Sequence, residues 1–170
     1  MKIYVDATTL IALGTVGELD LLRNFDGEIV VLPEVRDEVT TEPARTNVEQ
    51  FVESEDVEEN DGFEDYVEDA CDILGESDEN GDVQIVASVL AREEFAVVSD
   101  DRRVRTVSEG FGATVTGTVG VVVRGVSEGM SEEAAKETVR RIDGNGLHMT
   151  AELREKAYEL IEKQADQRRS

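Results

Sequence analysis

The sequence is short of cysteine, histidine, lysine and long apolar runs. Its single thiol, Cys71, rules out an internal disulfide and suits a reducing compartment. Cys71 lies in the helical pattern of residues 66–74 and reads as a small core residue. The one histidine, His148, sits at a turn in the tail and reads as a non-catalytic residue. No stretch of about 18 apolar residues occurs, so a membrane span is not expected. The start reads as a strand, without the basic and apolar segments of a leader, and a cytoplasmic protein without a membrane partner is expected. No G-x-x-x-x-G-K phosphate loop is present, and Gly110–Phe111–Gly112 is too short for a dinucleotide loop.

Positive charge is scarce as well. Seventeen Lys and Arg stand against 40 Asp and Glu, a formal net charge of −23, and only four of the 17 are lysines. Apolar periodicity runs through most of the chain, which argues against disorder. The acidic excess therefore reads as adaptation to molar salt, that is, a halophilic protein. At about 1 M salt the Debye length falls to about 3 Å, so self-repulsion is screened and a nucleic-acid partner is not forbidden. Contacts to phosphate would have to be local.

What is present is an alternation of buried strands and helices. Met1–Val5 is an apolar strand stopped by Asp6, and a helix begins at once, with Thr8 or Thr9 as its N-cap. A carboxylate at that strand end is expected to be exposed, on the edge where open α/β sheets bind ligands. A turn at Gly14 separates a second helix, Val16–Phe25. Glu28–Leu32 reads as a strand, followed by a helix from Pro33 to Val39 that carries Glu34 and Glu38 on one face. From Thr40 to Asp61 the signal weakens to a helix around Val48–Val52 and a short strand around Val57. Phe63–Leu74 is a helix with an apolar stripe that includes Tyr66 and Ile73, and another begins at Asp82. Phe95–Ser99 is a third strand ending in Asp100 and Asp101, then come a helix at Arg102–Val107, a short strand at Ala113–Val115 and a helix at Val119–Gly129. The tail holds two helices split by Gly144–Asn145–Gly146, the second with Leu153, Ala157, Leu160 and Ile161 on its apolar face. Strands alternating with helices predict an α/β fold with a parallel sheet covered on both sides.

Four acidic positions stand at element ends or helix starts: Asp6, Glu38, Asp82 and the pair Asp100–Asp101. Clustered carboxylates repel one another unless a cation neutralises them. Mg²⁺ or Mn²⁺, which take oxygen ligands, is the economical partner and can assist hydrolysis of a phosphodiester. With 40 acids in 170 residues, a solvated helix face competes as a reading for Glu38 and a helix-start acid for Asp82. A receiver domain would need an acidic pair near the start and a late lysine, and a haloacid-dehalogenase-type phosphatase would need Asp-x-Asp, where Thr8 stands. Arg102, Arg103 and Arg105 form a local basic cluster suited to gripping phosphate, with intrahelical pairing to Glu109 as the competing reading.

These stretches carry a family resemblance. Val5–Leu13 resembles the opening hhD-T-S-x-L-I-x-L of PIN domains (h, apolar), with Thr9 where one branch usually has proline. Leu32–Val39 resembles hP-x-x-V-x-x-E-h, Gly81–Ala87 is similar to G-[DE]-x-x-I-A, and Val98–Arg102 to h-[TS]-x-D. Thr116–Val121 followed by an apolar helix is similar to an element of the VapC-like toxin branch. The resemblance covers residues 1–129 and implies a PIN-like α/β/α sandwich with a short parallel sheet, residues 130–170 forming a C-terminal helical extension packed on it. It further implies a Mg²⁺- or Mn²⁺-dependent ribonuclease, often the toxin of a toxin–antitoxin pair. Asp6, Glu38, Asp82 and Asp101 would be the metal-binding and catalytic acids, with Asp100 as the alternative fourth ligand. Thr8 and Ser99 would supply supporting hydroxyls, and the register with Ser99 favours Asp101. RNA, a small antitoxin and a second copy of the chain are the partners implied. An RNA-processing endonuclease and a non-catalytic binding or scaffold protein are the alternatives.

Overall fold

A computed structural model describes residues 1–59, 62–145 and 147–170. The parts of the expected acidic excursion and tail break that fall on Asn60, Asp61 and Gly146 lie outside the described residues. Among the described residues there are five strands: β1 (Lys2–Val5), β2 (Glu28–Val30), β3 (Val57–Glu58), β4 (Phe95–Val98) and β5 (Thr114–Thr116). They form one sheet in the order β3-β2-β1-β4-β5, and every pairing is parallel. The helices are α1 (Ala7–Val16), α2 (Pro33–Asp37), α3 (Ala44–Val52), α4 (Val67–Leu74), α5 (Gly81–Ala91), α6 (Arg102–Gly110), α7 (Thr118–Ser127), α8 (Glu132–Asn145) and α9 (Ala151–Arg169). They flank the sheet in two groups: α5 packs with α2, α4 and α6, while α1 packs with α3, α7 and α8. This is the expected α/β architecture with a short parallel sheet, and the C-terminal helices are present.

The central strand owes its place to its composition. Ile3, Tyr4 and Val5 are buried to 1% exposure or less, as a strand covered by helices on both faces requires. Val5 stands level with Val98, so β1 and β4 end together. The ladder runs one step further on each side: the Asp6 amide donates to the Val98 carbonyl at 2.9 Å and the Ser99 amide to the Thr116 carbonyl at 2.9 Å. The residues just past three adjacent strand ends are thereby set in a row.

Several local expectations change. Gly14 makes no turn; it lies inside α1, where an added Cβ would come within 3.2 Å of the Ala44 Cα. The glycine lets α1 and α3 cross closely, and Asn47 Nδ2 donates to its carbonyl at 2.8 Å. The true stop is Gly17, at φ 74°, a left-handed conformation that glycine adopts without steric cost. Beyond it Leu19–Asn24 is a 3-10 helix instead of an α-helix. The expected helix at residues 63–74 splits into a 3-10 turn, Glu64–Tyr66, and α4. Tyr66 and Ile73 point outward at 37% and 43% exposure, and Leu153 of α9 is likewise exposed at 41%. Cys71 is half-buried against the core.

The tail is fastened to the sheet's helical cover. Helix α8 packs on α1 and α7, and α9 packs on α7 and α8, burying Ala135, Val139, Ile142, Ala157 and Ile161. Arg141 donates to the Val16 carbonyl at 2.7 Å, closing the C-terminal end of α1.

Candidate active site

The turn from β1 into α1 takes a single residue, Asp6. Its extended backbone (φ −78°, ψ 154°) ends the strand, and its own carboxylate caps the helix, accepting from the Ala7 amide at 2.6 Å. The N-cap is therefore Asp6, ahead of Thr8 and Thr9. A carboxylate reaches the first free amide of the helix, and the positive end of the helix dipole favours it. The second oxygen accepts from Ser99 Oγ at 2.6 Å. Contrary to expectation Asp6 is buried, at 3% exposure, because the strand end is recessed beneath the neighbouring helix starts.

Ser99 ties a second acid to the first. Its Oγ also accepts from the Asp101 amide at 3.1 Å, so one buried hydroxyl connects the ends of β1 and β4. Asp101 then caps α6, accepting from the Val104 amide at 2.9 Å. Its neighbour Asp100 is turned the other way. Both Asp100 oxygens are held by Thr118, through the amide at 3.0 Å and the hydroxyl, so Asp100 serves as the side-chain cap of α7. Thr118 Oγ1 lies 3.2 Å from Thr9 Oγ1, drawing α7 onto α1.

Asp82 and Glu38 complete the group. Helix α5 starts at Gly81, capped by Asn80, whose side chain accepts from the Val83 amide at 3.0 Å. This leaves Asp82 in the first turn with its carboxylate free of a capping duty. Glu38 closes α2 and accepts from the Gly81 amide at 2.7 Å. A Cβ on Gly81 would fall 2.8 Å from Glu38 Oε1, so a larger residue there would make the Glu38 carboxylate shift. Gln84 reinforces it, accepting from the Glu34 amide at 2.9 Å and donating to Glu79 at 2.9 Å.

The acids feel one another. Burial above all, with the charges of Asp82 and Asp101, outweighs the Ser99 and Ala7 bonds and leaves the Asp6 carboxyl raised to about 6. Asp82 is raised by burial and by Asp101, and Glu38 by burial and by Asp82 and Glu34. Asp6, Asp82, Asp101 and Glu38 thus form one electrostatic cluster at the C-terminal edge of the sheet. Among the described residues, no three His, Cys, Asp or Glu side chains close on a point at metal-ligand spacing as they stand. The donor set nevertheless fits a hard divalent cation, because it consists of oxygen ligands whose mutual repulsion a cation relieves.

The three arginines separate. Arg103 donates to the Leu74 carbonyl at 2.9 Å and pairs with Glu76 at 2.7 Å and Asp82 at 3.4 Å; its partners lie outside its own helix, and Glu109 is not among them. Arg105 reaches the Ser99 carbonyl at 3.1 Å. Arg102 is exposed. Thr8 is exposed in the first turn of α1, next to Asp6. Gly81, Gln84 and Thr118 lie within the motif stretches, but the pattern gives them no supporting role. The glycine before Asp82 is a usable signal for the first, whereas the partners of the other two are 50 and 18 residues away.

A family model described as a PIN domain matches residues 2–163, a span that runs from β1 into α9. No curated protein matches the sequence.

Proposed function

Since the chain belongs to the PIN-domain family, whose members are usually metal-dependent nucleases, we propose that it is a Mg²⁺- or Mn²⁺-dependent endoribonuclease centred on Asp6. The observation that carries this reading is the convergence of Asp6, Asp82, Asp101 and Glu38 from four separate segments onto one sheet edge, with two of them joined through Ser99 Oγ. Acids placed only for solubility gain nothing from burial or from crowding.

Asp6 and Asp101 would be the central ligands, held in place by Ser99, with Asp82 and Glu38 beside them and the Thr8 hydroxyl at the rim. A bound divalent ion would neutralise this cluster and supply an activated water and phosphate clamp for phosphodiester hydrolysis. The protein's part is orientation. The Ala7 amide and Ser99 hydroxyl fix the Asp6 carboxylate, and the Gly81 amide fixes Glu38. Arg103 holds one flank of Asp82 and offsets part of its charge. Asp100, occupied by Thr118, is left outside the ligand set.

The Thr116–Val121 stretch supports a place in the VapC-like branch, acting as a toxin with a small antitoxin partner and as a homodimer. The net charge of −23 supports a halophilic, cytoplasmic setting; among the described residues no helix is long and apolar enough to cross a membrane. The test is cleavage of RNA with Mn²⁺ in molar KCl, wild type against Asp6→Asn. Cleavage by the wild type alone supports the assignment. Equal cleavage by both, or by neither, removes it. Growth arrest of a host by the wild type but not by Asp6→Asn would support the toxin role over RNA processing.

A further inference from the structure

The chain has few basic groups, and most are already engaged. Lys136 pairs with Glu132 and Glu162, Arg169 with Glu132 and Asp166, Arg154 with Asp143, and Arg23 with Asp20 and Asp56. One concavity departs from this pattern. It has a volume of about 640 Å³ and lies between the start of α6, the β5–α7 junction and α9. Arg102, Arg105, His148 and Lys156 line it together with Leu153 and Leu160. Arg102 makes no ion pair among the described residues, and Lys156 has only a loose one with Glu159, at 3.9 Å. The acid in the wall, Asp100, has both oxygens held by Thr118.

The groove adjoins the segment that carries Asp101, since Asp100 and Arg102 on either side of that residue are both in its wall. Arg105 donates to the carbonyl of Ser99, the residue whose hydroxyl holds Asp6. A strand bound across the acids and leaving past α6 therefore meets this groove next. Its lining is mixed. Cationic groups alternate with apolar surface, and Leu153, which the helix period places on a core face, is instead exposed here at 41%. A duplex offers only its charged outside and grooves to a protein. A single strand offers phosphates together with unpaired base faces, which need apolar or aromatic partners.

Resting on the ribonuclease reading, we infer that the groove between α6 and α9 is a binding subsite for the single-stranded RNA that flanks the scissile phosphate. Arg102, Arg105 and Lys156 hold phosphates, and His148, Leu153 and Leu160 receive bases. The tail, on this account, sets how long a strand the enzyme grips.

The test uses the full chain and two labelled probes, a 12-nucleotide single-stranded RNA and a trinucleotide, with Lys156→Glu, His148→Ala and Leu153→Ser as variants of exposed positions. The KM for the 12-mer should rise about tenfold in each variant, in the range expected when one base or phosphate is no longer held. The kcat, and the KM for the trinucleotide, should stay as in the wild type. In Lys156→Glu the slope of log affinity against log salt should become shallower by about 0.7 for each phosphate released from the groove. Wild-type KM for the 12-mer in all three variants overturns the proposal, as does an equal weakening on the trinucleotide. If the wild type cleaves neither probe, the nuclease reading fails, and anisotropy of the 12-mer in EDTA decides the groove separately: weaker binding in the variants supports it and unchanged binding overturns it. A variant that changes only the sedimentation mass makes the groove an interface between copies and also overturns it.

Discussion

Ser99 Oγ donates to Asp6 Oδ2 at 2.6 Å while accepting from the Asp101 amide, and both Ser99 and Asp6 are buried. One hydroxyl thus holds the carboxylate of Asp6 and the backbone of Asp101, joining acidic residues from opposite halves of the chain. Ser99→Ala leaves a buried oxygen and a part-buried amide without this partner, which should cost about 1–3 kcal/mol by thermal denaturation. Cleavage should fall by about tenfold or more, the order expected when an orienting hydrogen bond is removed. Unchanged stability and rate would show that the bond does not organise the site.

Asp6 itself should carry a stability cost. Its folded-state pKa of about 6 lies above the ordinary value of 3.8, so the folded protein holds the proton more tightly than the unfolded chain does. The stabilisation from this group is complete below about pH 3.8 and is lost as the pH rises toward 6. Asp6→Asn retains an oxygen for the Ala7 amide and has no charge to bury. In metal-free buffer at pH 7 the variant should be more stable than the wild type, by at most about 3 kcal/mol for a shift of this size. The gap should close below about pH 4, as read by urea denaturation at several pH values.

The adjacent acids at the end of β4 should separate cleanly. Asp100→Ala removes the side-chain cap of α7 and should lower stability by about 1–2 kcal/mol while keeping Mn²⁺-dependent cleavage. Asp101→Asn keeps a capping side chain for α6, since asparagine serves that position well, and should retain stability while losing cleavage. The reverse outcome would reassign the ligand to Asp100.

Arg103 offsets charge at Asp82 from a half-exposed position. Arg103→Ala should leave the cluster more negative and lower the half-saturating Mn²⁺ concentration by about two- to fivefold, the scale of an exposed ion pair. A rise in that concentration would mean that Arg103 positions Asp82 more than it shields it.

Much of this arrangement is legible in the sequence because it is local. Asp6 sits where an apolar β-branched run stops, and the five strands with the helices between them follow from periodicity. The pattern around Gly81–Asp82 likewise reports a helix start. What escapes a reading of the sequence depends on long-range geometry. The burial of Asp6 comes from segments distant in sequence, the helix starts above it and Ser99 among them, and the split between Asp100 and Asp101 is decided by Thr118, 18 residues beyond Asp100. Gly14 reads as a turn because close helix crossing and chain reversal both call for glycine. Leu153 reads as core because α9 is amphipathic, but nothing in its period shows that this first-turn position is left 41% exposed.

The most direct test of the central claim is the rate of RNA cleavage by wild type and Asp6→Asn, measured with Mn²⁺ in molar KCl. The account predicts metal-dependent cleavage by the wild type, abolished by EDTA, and a fall of at least about a hundredfold in a variant that stays folded, the order expected when one essential acid is removed. Cleavage by Asp6→Asn at the wild-type rate would contradict it.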